Sequence, residues 1–203
     1  MRGRLLTIIV AGFLIGALGG AAALVLTQTA PASRNVITTG KADIGGPFSL
    51  IDQHGKPVTD RDFRGRYMLV FFGFTHCPDI CPAELQVMST ALDALGPKAD
   101  KVVPIFVTLD PERDTPEAVG SYVKNFGSNF VGLTGSPEQI AEAAKAYRVA
   151  FSKFEHKGQD SNSGYSIDHS AFVYLMGPDG ELKELFNYGT PAEELTKTLN
   201  RYL

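Results

Sequence analysis

Three continuous apolar runs constrain the fold of this chain more than any other feature. Each has the length and composition of a β-strand that is buried on both faces. The runs are Tyr67–Phe72, Val102–Thr108 and Ala171–Met176, and stretches with helical spacing separate them. This alternation predicts a mixed β-sheet flanked by helices, which is an α/β domain.

Hydroxyl and proline residues mark the predicted helix starts. Thr115-Pro116 and Ser136-Pro137 each place an N-cap hydroxyl before a proline at the first helical position, and Thr190-Pro191 opens the last helix. Pro82 is predicted as the first residue of a helix that ends at Leu95, before Gly96-Pro97.

Two hairpins complete the predicted architecture. The turn Gly177–Gly180 joins the third apolar run to a return strand over Leu182–Asn187. Phe48–Ile51 and Gly55–Val58 form a short hairpin in front of the first buried strand. The resulting order predicts a thioredoxin-like fold with an N-terminal β-hairpin extension.

The N-terminal region predicts export and a membrane anchor. The 22 residues from Leu5 to Leu26 carry no charge, which is long enough for a transmembrane helix of about 33 Å. Arg2 and Arg4 precede this run, so residues 1–4 are expected on the cytoplasmic or matrix side. Removal at Ala30-Pro31-Ala32 is the alternative. Residues 27–46 are predicted as a flexible tether and residues 47–203 as one folded domain in the periplasm or the mitochondrial intermembrane space.

Charge excludes one class of partner. The formal net charge is −3 and no basic run is present. A nucleic-acid partner is therefore not expected.

The only two cysteines, Cys77 and Cys81, are four residues apart between the first buried strand and the helix that follows it. Amides at a helix start stabilise a thiolate, and a thiolate is both the nucleophile of disulfide exchange and the metal-binding form of cysteine. This position therefore leaves two interpretations open: a redox pair that can close a disulfide, or part of a metal site.

Four motifs follow one another along the chain. They are Gly46-Pro47-Phe48, Phe74-Thr75-His76-Cys77-Pro78-Asp79-Ile80-Cys81-Pro82, Val107-Thr108-Leu109-Asp110-Pro111-Glu112-Arg113-Asp114-Thr115-Pro116 and Asp168-His169-Ser170. Together they resemble the Sco/SenC family of copper proteins for cytochrome c oxidase assembly. The resemblance implies a thioredoxin-like fold and copper ligation by Cys77, Cys81 and His169. Two thiolates and an imidazole suit Cu(I) and can also hold Cu(II).

The resemblance also implies a function. The expected role is a membrane-anchored copper chaperone that delivers copper to the dinuclear site of cytochrome c oxidase subunit II. A second copper chaperone as donor and a thioredoxin-like reductant are the other expected partners. The alternative is a thiol–disulfide reductase that keeps the cysteines of that target reduced, with Cys77 attacking and Cys81 resolving. A bacterial inner membrane or a mitochondrial inner membrane would carry the anchor.

Three weaker hypotheses concern residues around this set. Asp168 could support His169 from outside the metal shell. The carboxylates of Asp110–Thr115 could have a chemical role, but a turn after the strand, capping of the next helix and neutralisation by Arg113 are the stronger explanation. Phe151–Tyr165 is predicted as a long polar loop that either lets His169 swing or has no function.

Overall fold

A mixed seven-stranded β-sheet forms the centre of the fold. The structure, a computed structural model, describes residues 44–155 and 164–203. The strands are β1 (Ser49–Asp52), β2 (Pro57–Thr59), β3 (Tyr67–Gly73), β4 (Val102–Thr108), β5 (Val131–Thr134), β6 (Phe151–Glu155), β7 (Tyr165–His169), β8 (Phe172–Met176) and β9 (Leu182–Asn187). The α-helices are α1 (Ile80–Leu95), α2 (Pro116–Val123), α3 (Pro137–Ala146) and α4 (Ala192–Tyr202).

The strand order of the main sheet is β2-β1-β5-β4-β3-β8-β9. Strands β3, β4 and β5 run parallel, and β8 pairs antiparallel with β3. The register places Gly73 beside Thr108, so the carboxyl ends of β3 and β4 lie next to each other. Segments that leave these two ends are therefore brought together at one edge of the sheet, where open α/β sheets place their sites.

Helices cover both faces of this sheet. On one face, the buried ring of Phe106 packs 5.3 Å from that of Tyr122 in α2. Helix α4 packs against α1, where the Thr196 hydroxyl donates to the Ala91 carbonyl at 3.3 Å. On the other face, Phe72 of β3 lies 5.2 Å from Tyr147, the residue that follows α3. The apolar runs are continuous because each strand is buried from both sides.

Most predicted elements are confirmed. The strands over Val102–Thr108 and Leu182–Asn187 have the predicted bounds, and β1 and β2 form the predicted N-terminal hairpin. The hydroxyls of Thr115 and Ser136 accept hydrogen bonds from backbone amides three residues further on, at 3.3 and 3.2 Å. These contacts confirm the two predicted N-caps.

Two predictions about local structure are wrong, and one strand was not predicted. Helix α1 begins at Ile80, so Pro82 is its third residue and not its first. Strand β5 was not predicted, because its four residues become a strand only by pairing with β4 and β1. The segment Phe151–Tyr165 is not wholly irregular, because Phe151–Glu155 is strand β6.

Strands β6 and β7 form a separate antiparallel hairpin, which we call the histidine hairpin. Phe151 pairs with His169 and Glu155 with Tyr165. Within the described residues, neither strand pairs with the main sheet. His169 is consequently the last residue of a strand.

The described ranges contain no helix that is long and apolar enough to cross a membrane. The predicted transmembrane run Leu5–Leu26 and residues 27–43 of the predicted tether lie outside these ranges.

Candidate metal centre

Residues 74–79 connect β3 to α1 and carry the first cysteine; we call them the cysteine loop. The Cys77 amide donates to the Phe74 carbonyl at 3.2 Å, which turns the chain toward the helix. The N-cap residue Asp79 provides no side-chain cap, and the Cys81 amide donates to the Cys77 sulfur at 3.4 Å. The sulfur therefore occupies the position that a capping oxygen takes in other helices.

The two thiols have opposite electrostatic environments. A hydrogen bond from the Cys81 thiol, followed by bonds from the Cys81 and Asp79 backbone, lowers the pKa of Cys77 to about 5 despite partial burial. The hydrogen bond to Cys77 and the burial of its own side chain raise the pKa of Cys81. Cys77 is half-buried and Cys81 is fully buried, and both are free thiols. The disulfide that this pair could form is therefore not the state of this structure.

The pKa of Cys77 predicts the pH dependence of its alkylation. The thiolate predominates above a pH of about 5, so we expect the iodoacetamide rate to be nearly constant from pH 6 to 8. Below pH 5 it should fall about tenfold per pH unit. Because this pKa lies below the unfolded value of about 8.5, the thiolate's contribution to folding stability is full above pH 8.5 and is lost as the pH falls through 5. Rates measured in guanidinium provide the control, and a midpoint near 8.5 in the folded protein would contradict the prediction.

Gly73, the last residue of β3, leaves the space that the Cys81 sulfur occupies. A Cβ atom on Gly73 would lie 2.8 Å from that sulfur and 3.1 Å from the rings of Phe71 and Phe106. The backbone of Gly73 is ordinary strand, so glycine is required here by close approach and not by conformation. Gly73 was not among the predicted site residues, although a glycine between a buried strand and a cysteine loop was an available signal.

The fold brings His169 to the cysteines across 88 residues of sequence. Its Nε2 atom lies 3.7 Å from the Cys81 sulfur. Its Nδ1 atom lies 3.1 Å from the Ser170 carbonyl, which can only accept, so Nδ1 carries the proton. The lone pair of a neutral imidazole is then on Nε2, facing the sulfur, as metal ligation requires. The rings of Phe71 and Phe74 pack edge-to-face against the imidazole, with centroid distances of 6.2 and 6.0 Å, and these contacts restrain its orientation.

The neighbouring polar residues point elsewhere. Asp168 is exposed, and the Ser170 carbonyl takes the supporting position at Nδ1 that was hypothesised for it. The Nδ1 atom of His76 lies near the Thr75 hydroxyl and the Asp114 carboxylate, at 3.1 and 3.7 Å. Two of the predicted ligands thus lie next to Cys81, since the Cys77 sulfur accepts from its amide and the His169 imidazole approaches its sulfur. His76 faces Thr75 and Asp114 instead.

The Asp110–Thr115 segment is a hydrogen-bonded support and not an open acidic cluster. Carboxylate atoms of Asp110 and Asp114 and a ring nitrogen of His76 lie within 4.8 Å of one another, a spacing that a metal could bridge. However, Asp114 accepts from Thr75 and Thr108, and Asp110 accepts from Arg113 and Tyr165. These hydrogen bonds use the carboxylate oxygens, which agrees with the structural role of capping and neutralisation considered for this segment.

A cleft of about 610 Å³ opens beside the site. Its apolar wall includes Phe74, Pro78, Ile80 and Phe154. Cys77 and His169 also line it, whereas Cys81 is fully buried and does not. A second molecule can therefore reach the site from the side of Cys77 and His169.

The fold and site define a thioredoxin-like domain whose cysteine pair and distant histidine form a potential soft-metal centre. The SCO1/SenC family model matches residues 37–203, so the chain belongs to this family. It is 45% identical over 166 residues to "Protein sco1" of Schizosaccharomyces pombe, covering 81% of this chain and 63% of that protein. The chain thus spans less than two thirds of that relative's length.

Solved structures of the same fold agree. The copper-bound ScoI of Arabidopsis thaliana is 42% identical with a TM-score of 0.73, covering 78% of this chain and 97% of that one. The copper-bound ScoI of Bradyrhizobium japonicum is 46% identical with a TM-score of 0.71, covering 79% and 99%. These neighbours support the thioredoxin-like fold predicted from the sequence.

Proposed function

We propose that this domain binds one copper ion through Cys77, Cys81 and His169 and delivers it to the dinuclear copper site of cytochrome c oxidase subunit II. The observation that carries the proposal is the 3.7 Å approach of the His169 imidazole to the Cys81 sulfur, beside a Cys77 sulfur that is ready as a thiolate. The two similar ScoI proteins with copper bound support copper as the cargo.

The donor set favours Cu(I). Two thiolates are soft ligands, and three ligands leave the low coordination number that Cu(I) accepts. Zinc usually takes four protein ligands in a closed site, and this chain has no third cysteine. Cys81 must lose its proton on loading, so copper uptake should release about one proton near neutral pH, since Cys77 is already ionised.

The difference in burial between the ligands sets the order in which they would release copper to the target. Cys77 and His169 border the cleft, whereas Cys81 is fully buried. An incoming cysteine or histidine of the target can displace the two cleft-side ligands first, and Cys81 releases the ion last. The apolar wall of the cleft excludes water during this exchange.

We further propose that residues 5–26 anchor the chain in a bacterial or mitochondrial inner membrane, with the domain on the periplasmic or intermembrane-space side. The uncharged run and the preceding arginines support this arrangement. The tether of residues 27–46 would let the domain reach an oxidase in the same membrane. A second copper chaperone would load the site, and a thioredoxin-like protein would keep its thiols reduced.

Anaerobic titration of the reduced full-length chain with Cu(I) tests the proposal. We expect one ion per wild-type chain, and an affinity about 100-fold lower in His169→Ala, since even residues that only support ligands are worth 10- to 100-fold. His54→Ala, in the exposed turn between β1 and β2, is the matched control and should bind as the wild type does. Failure of the wild type to bind would overturn the proposal, and an unchanged affinity of His169→Ala would remove the imidazole from the site.

The lowered pKa of Cys77 specifically favours a second candidate, a thiol–disulfide reductase. The Cys77 thiolate would attack a target disulfide, and one target cysteine would leave as a thiolate. Cys81, after losing its proton, would attack the Cys77 sulfur of the mixed disulfide and release the second target thiolate. The pair ends oxidised and the target reduced, so a thioredoxin-like reductant must return two electrons to the pair in each cycle.

His169 separates the two functions. The reductase steps need no histidine ligand, so His169→Ala should largely retain reductase turnover on an oxidised target peptide while losing copper affinity. Equal loss of both activities would show that the histidine acts on the thiols themselves and not through copper.

A further inference from the structure

We propose that residues 109–115, the aspartate loop, form a positioning element that holds the cysteine loop with one carboxylate and the histidine hairpin with another, and so sets the distance between the sulfur and imidazole ligands. The inference rests on the proposed function for its consequence in copper binding. Its structural part concerns the protein without metal.

Asp114 connects the aspartate loop to the cysteine loop. Its side chain is fully buried and accepts from the Thr75 amide at 3.0 Å, the Thr75 hydroxyl at 2.5 Å and the Thr108 hydroxyl at 2.5 Å. A buried carboxylate is stable only with such partners, so these bonds are obligatory. Thr75 is two residues before Cys77, and the contact therefore fixes the start of the turn that presents the Cys77 sulfur.

Asp110 connects the same loop to the histidine hairpin. Its fully buried carboxylate accepts from the Arg113 Nε and, at 2.5 Å, from the Tyr165 hydroxyl. Arg113 also donates to the Tyr165 carbonyl at 3.1 Å, and its guanidinium lies 3.9 Å above the Tyr165 ring. Tyr165 is thus held through its hydroxyl, its ring and its backbone.

An outer contact adds to this attachment. Lys153 of β6 forms a 2.7 Å ion pair with Glu112 and lies 4.7 Å from the centre of the Tyr165 ring. Both side chains are partly exposed, so solvent screens this ion pair and weakens it. The buried Asp110 contact is the stronger restraint.

The histidine hairpin depends on such contacts because it is not part of the main sheet. Within the described residues its strands pair only with each other. Tyr165 begins β7 and His169 ends it, so holding Tyr165 orients the strand that carries the imidazole. The aspartate loop follows β4, which is beside β3 in the sheet, and is therefore fixed relative to the start of the cysteine loop.

Tyr165→Phe tests the hairpin attachment in the copper-free, reduced full-length chain. The variant removes one hydroxyl and keeps the ring. We expect amide hydrogen exchange in β7 to rise about fivefold, the effect of one lost hydrogen bond. The His169 ring-proton NMR shifts should also move, because the rings of Phe71 and Phe74 lie edge-on to the imidazole. Tyr67→Phe is the matched control, since it removes a 2.8 Å bond to the Tyr202 carbonyl at the opposite end of β3.

Copper affinity then shows whether the attachment acts through the ligand. Tyr165→Ala, which removes hydroxyl and ring, should weaken Cu(I) binding about tenfold in the wild-type background and have no effect in the His169→Ala background. An equal loss in both backgrounds would contradict positioning of His169. Unchanged β7 exchange and His169 shifts in Tyr165→Phe would overturn the proposal, whether or not the wild type binds copper.

Thr75→Val tests the cysteine side. The variant removes the hydroxyl that donates a hydrogen bond to Asp114 and keeps a β-branched side chain. We expect the alkylation rate of Cys77 at pH 7 to change at least about threefold while β7 exchange stays as in the wild type. An unchanged alkylation rate of Cys77 in Thr75→Val would show that Asp114 does not position the cysteine loop through the Thr75 hydroxyl. If the wild type binds no copper, but β7 exchange responds in Tyr165→Phe and Cys77 alkylation responds in Thr75→Val, the proposed function fails and the positioning element stands.

Discussion

Replacing Cys81 by alanine is expected to abolish tight Cu(I) binding and, without any metal, to raise the pKa of Cys77. The first effect follows because only one of the two thiolate ligands remains beside the imidazole, and thiolates are the soft ligands that Cu(I) prefers. The second follows because the hydrogen bond from Cys81 is the largest cause of the low Cys77 pKa. We expect the midpoint of Cys77 alkylation to move from about 5 toward the ordinary value of about 8.5.

Cys81→Ser separates these two effects. A serine hydroxyl still donates to the Cys77 sulfur but is a poor ligand for Cu(I). Copper affinity, measured by competition with a chelator, should therefore be lost in both variants, and the alkylation midpoint should rise substantially only in Cys81→Ala. Tight copper binding by Cys81→Ser would exclude Cys81 as a ligand. Equal midpoints in the two variants would show that the hydrogen bond does not control the thiolate.

Gly73→Ala is expected to damage the site by crowding. The added Cβ would lie 2.8 Å from the Cys81 sulfur, so either the cysteine or the end of β3 must move. Overpacking of this kind typically costs about 1–3 kcal/mol in unfolding free energy. Copper affinity should fall about tenfold or more, since displaced ligand geometry is costly. Urea unfolding and the Cu(I) competition assay measure the two effects on the same protein.

Gly132→Ala is the matched control for Gly73→Ala. Gly132 is also a strand glycine, in β5, and an added Cβ would collide with Val119 and Val123 of α2. We expect a comparable loss of stability with unchanged copper affinity of the folded protein, because no ligand is among these neighbours. Equal losses of copper affinity in the two variants would indicate general destabilisation and refute the crowding of Cys81.

The main sheet could be predicted because strands that are buried on both faces consist of continuous runs of apolar residues. Strands β3, β4 and β8 are apolar along their length since they are covered on both faces, and the proline-marked helix starts have a local hydrogen-bonding cause. Strand β5 escaped prediction because four residues are too few to show a pattern, and its pairing partners are remote in sequence.

The histidine hairpin could not be predicted from periodicity. Strand β6 is largely exposed, so its residues lack the alternation that marks a half-buried strand. Its strand conformation comes from pairing with β7 across residues 156–163. The segment Phe151–Tyr165 is polar, but polar composition alone does not distinguish an exposed hairpin from a loop.

The sequence by itself determined the α/β architecture, the position of Cys77 and Cys81 between a buried strand and a helix, and, through its motifs, the family. These features depend on neighbouring residues, whose contacts are set by local chain geometry. Only the tertiary structure decided that His169 lies 3.7 Å from Cys81, that Gly73 makes room for that sulfur, and that Asp110 holds Tyr165. The physical reason is that two of these contacts join residues 88 and 55 positions apart. The third depends on how the helix that carries Cys81 packs against the end of β3. All three geometries exist only after the sheet has aligned the ends of its strands.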